Sequence, residues 1–515
     1  MSEQIPLEPS TRLSESVVWD IQRRYFEHAG QDAWSKGVVP HYVTTNAYVA
    51  KSYARVIAAY VEDLKAMTGE GGGLPEGPIH VVEMGAGSGR LGFLLSHELA
   101  LLSRDRELPP FRVVLTDFTD TNVDAWLAHP DLADAFAEGR LDCARFDADD
   151  PAPLALRHSG ETLDQVDGPV IVVANYVVDT LRQDAFAVRD GRLHEVLVRA
   201  SMPTDAERTA EDPEASRDVD LSKTQRPTRL PYYDDAVLDG ILQDYVGALD
   251  DAEILLPTGM IGALRYLRGR CDGRMLVVMG DKGYRAPRDM EGRTLGSLVK
   301  HGSFSVMANL DAVGRSLGGV MLTHGNRYTR FTIAAATTQT APFRRLRGAY
   351  RDHIDSFGPA EYHRGFKLVR QAEGETPLAQ ILLLLRVSGY DPVVFARYGE
   401  QVLEACGEAN AAMQQDLALC LAQVLDRTYA LSPKDDVRFV AGRVFFRMER
   451  IVEAAQQFTK VTEVTPDRRT AWFNLGLCHE RMGDPAEAKR CYQSALKADP
   501  EYGRAQAALE RVKGA

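Results

Sequence analysis

Short apolar runs alternate with longer segments of helical periodicity between about residues 78 and 200. Runs that are apolar throughout and separated by helices are typical of a parallel sheet covered by helices on its faces. The strands that this pattern predicts are Ile79 to Met84, Phe111 to Thr116, Leu141 to Phe146, Val170 to Ala174, Arg274 to Met279 and a late antiparallel strand, Arg327 to Ala334. We therefore expect an α/β Rossmann-like domain in this part of the chain.

Near the C-terminus the apolar positions have helical spacing and recur 34 residues apart. The corresponding pairs are Gly442 and Gly476, Ala454 and Ala488, Phe458 and Tyr492, and Pro466 and Pro500. This is the period of the tetratricopeptide repeat, a pair of antiparallel helices that stacks on its neighbours. The second unit resembles that consensus closely, so we expect an all-α tetratricopeptide-type helical array.

Three regions follow from these patterns. Residues 1–340 are predicted to form the α/β domain, residues 341–431 a helical connector or degenerate repeats, and residues 432–515 the tetratricopeptide repeats with a capping helix. Residues 202–231 form a polar insertion with almost no large apolar side chains, which predicts a mobile surface loop.

Composition excludes several classes of protein. The 515 residues carry a formal net charge of −13, which argues against a general affinity for nucleic-acid phosphates. No apolar run approaches the roughly 18 residues that a membrane-spanning helix needs, and the N-terminus lacks the pattern of a signal or transit peptide, so we expect a cytoplasmic protein. The six cysteines have no metal-ligand spacing, and no metal is expected.

The segment IHVVEMGAGSGRLG, which begins at Ile79, reads as a strand, a Gly-rich turn and the start of a helix. Such a turn presents unpaired backbone N–H groups at a helix N-terminus, and its glycines let a nucleotide ligand approach the main chain. The glycines fit both the dinucleotide pattern GxGxxG and the pattern ExGxGxG of class I methyltransferases. The acid before the first glycine favours the second, because it suits the methionine end of S-adenosylmethionine. The expected cofactor contacts here are Glu83, Gly85, Ala86, Gly87, Gly89 and Arg90.

Acidic residues also stand at the ends of the next two predicted strands. Asp117, followed by Phe118, can accept hydrogen bonds from both ribose hydroxyls, and Asp147 can accept from an adenine amino group. An aspartate at a strand end is also common as the first residue of a turn, so Asp147 is equally consistent with a structural role. Asp117 suits the ribose of NAD as well and does not discriminate between the two cofactors.

The segment ANYVVDTLRQDAFAVRDGRLHEVLV, after the fourth predicted strand, resembles the Asn-Glu-x-x-Asp-Ala-Leu-Pro segment of the MidA-type methyltransferases. The segments GRMLVVMGDKGY and VPHYVTTNAYVAKSYARVIAAYV are similar to further segments of that family. The resemblance implies a class I methyltransferase fold and S-adenosylmethionine-dependent methylation of protein arginine in respiratory complex I assembly. It also implies that Asn175 and Asp179 lie near the transferred methyl group as catalytic residues, and that Asn175 and Tyr176 contact the cofactor.

The chain departs from the family at the positions that would handle the acceptor. Tyr176 stands where the family has Glu, Thr180-Leu181-Arg182 replaces Ala-Leu-Pro, and the N-terminal Gly-Asp-Phe motif is absent. By family position His301 and Tyr284 are candidate pocket residues, but a structural role suits both better. Thr44, Thr45 and Asn46 are candidate cofactor contacts, although a helix N-cap suits them better.

Three functions remain open at this point. The first is a methyltransferase that recruits a protein substrate or partner through the repeats, with no nucleic acid or membrane as partner. The second is a scaffold with a catalytically degenerate domain, which Tyr176 favours. The third is an NAD-linked oxidoreductase built on Gly87, Gly89 and Gly92, for which no hydride-transfer residues are evident.

Overall fold

The computed structural model describes residues 3–39, 42–68, 73–296, 299–301, 303–324, 330–371, 375–432 and 436–513. The chain forms two compact units, Met1–Arg364 and Gly365–Ala515. Strands β1 to β18 and helices α1 to α20 are numbered in chain order.

A central sheet organises the first unit. Its strands, from one edge to the other, are β17 (Met321–Thr323), β18 (Phe331–Thr337), β13 (Met275–Tyr284), β8 (Val170–Asn175), β3 (Ile79–Met84), β4 (Phe111–Asp117) and β5 (Leu141–Arg145), with β16 (Ala308–Asn309) added beside β13. Strands β13, β8, β3, β4 and β5 are parallel, whereas β18 runs antiparallel to both of its neighbours.

This sheet confirms the predicted α/β Rossmann-like fold. The five predicted parallel strands and the late antiparallel strand are all present, although Arg327 to Thr329 of the last prediction lie outside the described residues. The strand order proceeds outward from β3 in one direction and from β8 in the other. Their carboxyl ends therefore form a topological switch point, which is where open α/β sheets bind ligands.

A second sheet, which the sequence analysis did not predict as a whole, joins β1 (Gln4–Pro6), β2 (Thr11–Arg12), β9 (Asp184–Arg189), β10 (Arg192–Pro203), β11 (Asp220–Pro227) and β12 (Asp251–Leu256). Strands β9 and β10 form a hairpin whose turn, Asp190-Gly191, has positive φ at both residues. That conformation matches the right-handed twist of the paired strands. Two small hairpins pair β6 (Leu154–Ala155) with β7 (Thr162–Leu163) and β14 (Val299–His301) with β15 (Ser303–Ser305).

The prediction that residues 202–231 form a surface loop does not hold for Asp220–Pro227. Strand β11 lies within the segment and pairs antiparallel with β10 over eight residues. Nearly every side chain of β11 is exposed, so the strand carries no apolar alternation by which it can be recognised. The backbone hydrogen bonds to β10 hold it instead.

Helices cover the sheets of the first unit. They are α1 (Val18–Ala29), α2 (Asp32–Ser35), α3 (Ala47–Thr68), α4 (Arg90–Asp105), α5 (Asp120–Ala128), α6 (Ala133–Ala137), α7 (Ala236–Ala248), α8 (Thr258–Arg268), α9 (Pro287–Met290), α10 (Leu310–Leu317) and α11 (Arg344–Tyr350). Helix α11 packs on α3, where the Asp63 carboxylate accepts hydrogen bonds from the backbone N–H groups of Arg345 and Leu346. Helix α12 (Pro359–Gln371) crosses the boundary between the units.

The second unit is helical in its described part. Its helices are α13 (Leu378–Val387), α14 (Pro392–Ala405), α15 (Ala411–Asp426), α16 (Arg438–Arg447), α17 (Ile451–Val464), α18 (Arg469–Met482), α19 (Pro485–Ala498) and α20 (Gly503–Lys513). A Cβ atom on Gly442 would lie 2.8 Å from the Phe458 ring, and one on Gly476 would overlap the Tyr492 ring. The glycine therefore lets an aromatic ring of the partner helix approach closely in both repeats.

The compact units divide the chain after Arg364. The domain boundaries at residues 340 and 431 remain predictions. No helix in the described ranges is long and apolar enough to cross a membrane.

Candidate functional site

A cavity with a volume of about 200 Å³ lies at the carboxyl ends of β3, β4, β5 and β8. The sequence-predicted residues that line it are Glu83, Gly85, Ala86, Gly87, Asp117, Phe118, Asp147, Asn175, Tyr176 and Asp179. These residues come from four different strand ends along almost one hundred positions of sequence. The parallel sheet brings them together because it places the carboxyl ends of its strands side by side.

The Gly-rich turn connects β3 to α4 with its glycines in the left-handed region. Gly85, Gly87 and Gly89 have φ values of 62°, 54° and 76°, which an L side chain adopts only at a cost. Gly89 is the N-cap of α4 and packs against Trp126, and Arg90 is the buried first residue of that helix. Gly89 and Arg90 are therefore part of the frame behind the cavity rather than of its lining.

Space above the turn is limited by a side chain from the N-terminal region. A Cβ atom on Gly87 would lie 2.6 Å from Cζ2 of Trp34, so the indole of Trp34 packs directly over this glycine. The Gly87 carbonyl accepts hydrogen bonds from Gln31 Nε2 at 2.9 Å and from Trp126 Nε1 at 3.1 Å. Gly87 is thus enclosed by two segments, α2 with its preceding residue and α5.

Glu83 precedes the turn and is buried, with 5 % of its surface exposed. Its carboxylate packs against Gly92 of α4, whose backbone N–H is a hydrogen-bond donor to it. Atom Oε2 has no hydrogen-bond partner among the described residues. Burial therefore raises the pKa of Glu83 from 4.5 to about 8, and the single backbone hydrogen bond offsets only part of that effect.

Asp117 ends β4 and is held by its own turn. Its Oδ1 accepts from the N–H and the hydroxyl of Thr119, and its Oδ2 accepts from Asn122 Nδ2 at 3.0 Å. Burial nevertheless raises the pKa of Asp117, because desolvation outweighs these bonds. A carboxylate can accept about four hydrogen bonds, so Asp117 keeps capacity for a further donor.

Asp147 follows β5 and forms a bidentate ion pair with Arg23 of α1, in which Nη1 donates to Oδ1 at 3.1 Å and Nη2 donates to Oδ2. The same guanidinium lies over the ring of Phe118, 4.3 Å from its centroid. A planar donor group therefore already lies over Phe118, an expected cofactor contact, and bonds to Asp147, the residue expected to accept from the adenine amino group.

Asn175 ends β8 and is oriented by α3. Its Oδ1 accepts a hydrogen bond from the Tyr53 hydroxyl at 2.8 Å, which leaves Nδ2 buried with no partner among the described residues. Tyr176 follows with a φ of 53°, a conformation that is uncommon for an aromatic residue. Its ring packs against Phe331, with 5.5 Å between centroids, and Lys282 Nζ lies 5.9 Å from its ring centroid.

Asp179 lies in the short 3-10 turn after β8, beside a second aspartate. Its backbone N–H donates to Asp281 Oδ2 at 3.2 Å, which places the two aspartates in contact. Burial raises the pKa values of both groups, that of Asp179 to about 7, and repulsion from Asp179 raises that of Asp281 further. Atom Oδ1 of Asp179 has no hydrogen-bond partner in the described part of the chain.

The remaining candidates divide between cavity and frame. Thr44 and Thr45 line the cavity, whereas Asn46 caps α3 by accepting from the N–H of Val49 at 3.0 Å. Tyr284 packs in a different cluster, around α7 and β12, and the side chain of His301 lies outside the described residues. Within the described ranges, no group of three or more His, Cys, Asp or Glu residues is arranged to hold a metal ion.

Residues at this site that were not predicted from the sequence include Arg23, Trp34 and Lys282, which line the cavity, and Asp281, which contacts Asp179. Arg23 and Trp34 have no motif around them and reach the cavity only because α1 and α2 fold over it. Asp281 and Lys282 carried a signal, since both stand in the segment GRMLVVMGDKGY, at the end of a predicted strand next to β8.

Comparison with known families identifies the C-terminal repeats. Residues 439–481 and 470–502 match tetratricopeptide repeat models. The chain therefore contains tetratricopeptide repeats where the 34-residue period predicted them. No curated protein matches the chain significantly.

Solved structures that resemble the chain include the following three. A COG1565 superfamily protein from Burkholderia thailandensis is 14% identical, with 61% of this chain and 79% of that chain covered and a TM-score of 0.35. A COG1565 superfamily member from the same organism, bound to S-adenosyl-homocysteine, is 15% identical, with 61% and 78% covered and a TM-score of 0.32. The CMeT domain of the citrinin polyketide synthase is 10% identical, with 53% and 49% covered and a TM-score of 0.24.

Proposed function

We propose that the protein is an S-adenosylmethionine-dependent methyltransferase. The observation that carries this proposal is the convergence of Glu83, Gly87, Asp117 and Asn175 on one cavity at the topological switch point of the sheet. These positions suit a ligand with an ammonium group, a ribose and a reactive centre between them. They are an acid before a left-handed Gly turn, a second acid at the end of the next strand and a polar residue at the end of the fourth strand.

The side chains present fit that cofactor. Glu83 Oε2 is a buried acceptor without a donor among the described residues and suits the ammonium of the methionine moiety, and Asp117 keeps acceptor capacity for one ribose hydroxyl. Gly85 and Gly87 keep the turn in a left-handed conformation, and a Cβ atom on either would meet a neighbouring side chain, Val177 at 2.9 Å or Trp34 at 2.6 Å, so that a side chain on either residue would disturb the lining of the cavity. When bound, S-adenosylmethionine supplies an electrophilic methyl group on a sulfonium.

The chain supplies groups that orient the methyl acceptor and take its proton. Asn175 is fixed by Tyr53 and keeps an amide donor available, while Oδ1 of Asp179, which has no partner in the described ranges, can accept the proton that the acceptor releases. We assign the catalytic roles to Asp179 and Asn175.

The acceptor in this proposal is a protein side chain that the tetratricopeptide repeats recruit. Arrays of these repeats present an extended concave surface suited to binding a polypeptide. The resemblance stated above makes arginine the first acceptor to test. Tyr176, which replaces an acidic residue beside Asp179, removes one negative charge that a guanidinium would otherwise meet.

Calorimetric titration of the full chain with S-adenosylmethionine, S-adenosyl-homocysteine and NAD tests the cofactor. We expect binding of the first two and none of NAD, and binding of NAD alone would overturn the proposal in favour of an NAD-linked oxidoreductase. Asp218→Asn, a change at a half-buried carboxylate paired with Arg208, is a matched control that should leave the affinities unchanged.

A second candidate function, a cofactor-binding scaffold, is favoured by Tyr176 and by the ion pair that occupies Asp147. Transfer of a labelled methyl group to proteins of a host lysate separates the candidates. A methyltransferase should label lysate protein in a way that Asp179→Asn abolishes without loss of S-adenosyl-homocysteine binding. Retained binding without any label from the wild-type protein would favour the scaffold.

A further inference from the structure

Two arginines of the C-terminal repeats lie over phenylalanine rings in similar contacts. The guanidinium carbon of Arg468 is 3.9 Å from the centroid of the Phe439 ring, and that of Arg504 is 5.2 Å from the centroid of the Phe473 ring. The two rings are 34 positions apart, which is one repeat, and each packs against the aromatic side chain in the second helix of its own repeat. The contact between a guanidinium and a ring is therefore built twice.

These contacts connect alternate helices of the array. Arg468 is the N-cap of α18 and reaches Phe439 on α16, whereas Arg504 stands in the first turn of α20 and reaches Phe473 on α18. Both arginines therefore lie on the face that α16, α18 and α20 form together. Neighbouring packed helices are roughly 8–10 Å apart, so the two guanidinium groups are separated by about 10 Å along this face.

The positive charge of these two arginines is not neutralised within the repeats. Neither Arg468 nor Arg504 has a carboxylate partner among the described residues. Three carboxylates on or next to these helices are already paired, Asp436 with Arg438 at 3.3 Å, Glu480 with Arg511 at 2.7 Å and Asp499 with Arg469 at 2.5 Å. Burial lowers the pKa of Arg468, whereas the hydrogen bond to Glu480 raises the pKa of Arg511. Arg468 is thus partly desolvated without a bonded counter-charge, a state that an anionic ligand would relieve.

The rings leave part of each guanidinium available to a ligand. A guanidinium that lies over a ring uses its face for that contact, and the N–H donors at its edge remain for an acceptor. A carboxylate accepts two parallel hydrogen bonds from such an edge. The ring also restrains the arginine, so that less side-chain freedom is lost when the acceptor binds. Arg468 and Arg504 therefore suit two carboxylates in a row.

We propose that Arg468 and Arg504 form a docking site for an acidic polypeptide segment, in which each guanidinium binds one carboxylate. The proposal names the chemistry of the protein partner and rests on the recruitment role proposed above for the repeats. An extended polypeptide advances about 3.3 Å per residue, so carboxylates two to four positions apart span the separation of the two arginines. Nucleic acid, which also carries anions at regular intervals, is disfavoured because the net charge of the chain is −13.

A short acidic peptide provides the probe. It is a fluorescein-labelled nonapeptide of serine and glycine with glutamate at its third, fifth and seventh positions, and its control carries glutamine at the same positions. Fluorescence anisotropy measures the binding of both peptides to the full chain. We expect the glutamate peptide to bind at least about ten-fold more tightly than the glutamine peptide, and to lose several-fold in affinity between about 50 and 300 mM salt. Since the chain as a whole is negatively charged, long-range attraction cannot produce this preference.

Substitutions test the two arginines individually. Arg468→Gln and Arg504→Gln should each weaken binding of the glutamate peptide about ten-fold, because each removes one charge-assisted pair. Arg468→Lys should recover part of that loss, since lysine keeps the charge but not the planar set of donors. The matched control is Arg490→Gln on α19, which removes the same charge at a side chain that is 71% exposed and should leave the affinity unchanged.

The inference is overturned if the glutamate peptide does not bind, if both peptides bind equally, or if Arg490→Gln loses as much affinity as Arg468→Gln. Tighter binding of a single-stranded oligonucleotide of the same charge would overturn it in favour of nucleic acid. If the arginine variants lose their helical circular dichroism, the comparison of the two peptides and the salt dependence of the wild-type chain decide. The methyltransferase function fails separately, through absence of S-adenosyl-homocysteine binding, which leaves the peptide result unaffected.

Discussion

Glu83 offers a quantitative test of the site, because its burial sets an unusual dependence of stability on pH. The carboxyl is protonated in the folded protein up to about pH 8 and ionises near 4.5 in an unfolded chain. A group whose pKa is raised on folding stabilises the protein in its protonated form. That stabilisation is complete below about pH 4.5 and is lost as the pH rises through 8. Glu83→Gln replaces the carboxyl with a neutral group of the same shape and removes this dependence.

The magnitude follows from the shift. Between pH 5 and pH 9 the ionisation of the unfolded state outweighs that of the folded state, and the free energy of unfolding falls by about 4 kcal/mol from this group alone. We therefore expect Glu83→Gln to match the wild type within about 1 kcal/mol at pH 5 and to be more stable by several kcal/mol at pH 9.

Urea unfolding followed by tryptophan fluorescence suits the measurement. Three of the four tryptophans, Trp19, Trp34 and Trp126, belong to the first unit, so the signal reports mainly on the unit that contains Glu83. Asp179 and Asp117 add their own pH dependence to both proteins, and the difference between variant and wild type cancels it. A difference that is constant with pH, or a variant that loses stability relative to the wild type at high pH, would refute the reasoning.

Three further predictions concern other parts of the molecule. Gly87→Ala should reduce S-adenosyl-homocysteine affinity at least about ten-fold and destabilise the first unit by about 1 kcal/mol, because the new Cβ meets Trp34 and the residue has positive φ. Unchanged affinity in calorimetry would contradict the proposed turn. Tyr53→Phe should cost about 1 kcal/mol in urea unfolding and weaken binding a few-fold, because Asn175 loses its donor; equal affinity would show that this orientation is irrelevant. Tyr492→Ala should destabilise the repeats by about 3–5 kcal/mol and abolish methyl labelling of lysate protein, while cofactor binding measured by calorimetry stays unchanged. Retained labelling would refute recruitment of the substrate through the repeats.

The central sheet could be predicted from the sequence because its parallel strands are buried on both faces and read as continuous apolar runs. Strand β3 is buried at all six positions, and the prediction of Ile79 to Met84 matches it. Strand β11 could not be predicted in the same way, because backbone pairing with β10 rather than burial of apolar side chains defines it.

For the site, the sequence predicts what lies close along the chain. The turn from Glu83 to Gly89 and the aspartates at strand ends are recognisable because spacing and strand position define their geometry. The partners of these residues are not recognisable, since Arg23 reaches Asp147 across 124 positions and Asp281 reaches Asp179 across 102. Only the packing of α1 over the sheet, and of β13 beside β8, brings such residues into contact.

The ion pair between Arg23 and Asp147 links helix α1 to the chemistry of the cavity. A ligand that donates an amino group to Asp147 has to compete with a guanidinium that already uses both carboxylate oxygens. Ligand binding and the anchoring of α1 by Arg23 are therefore thermodynamically coupled. The factor by which the ion pair weakens ligand binding equals the factor by which a bound ligand weakens the ion pair. Amide hydrogen exchange along Val18–Ala29 would consequently report on occupancy of the cavity without any label on the ligand.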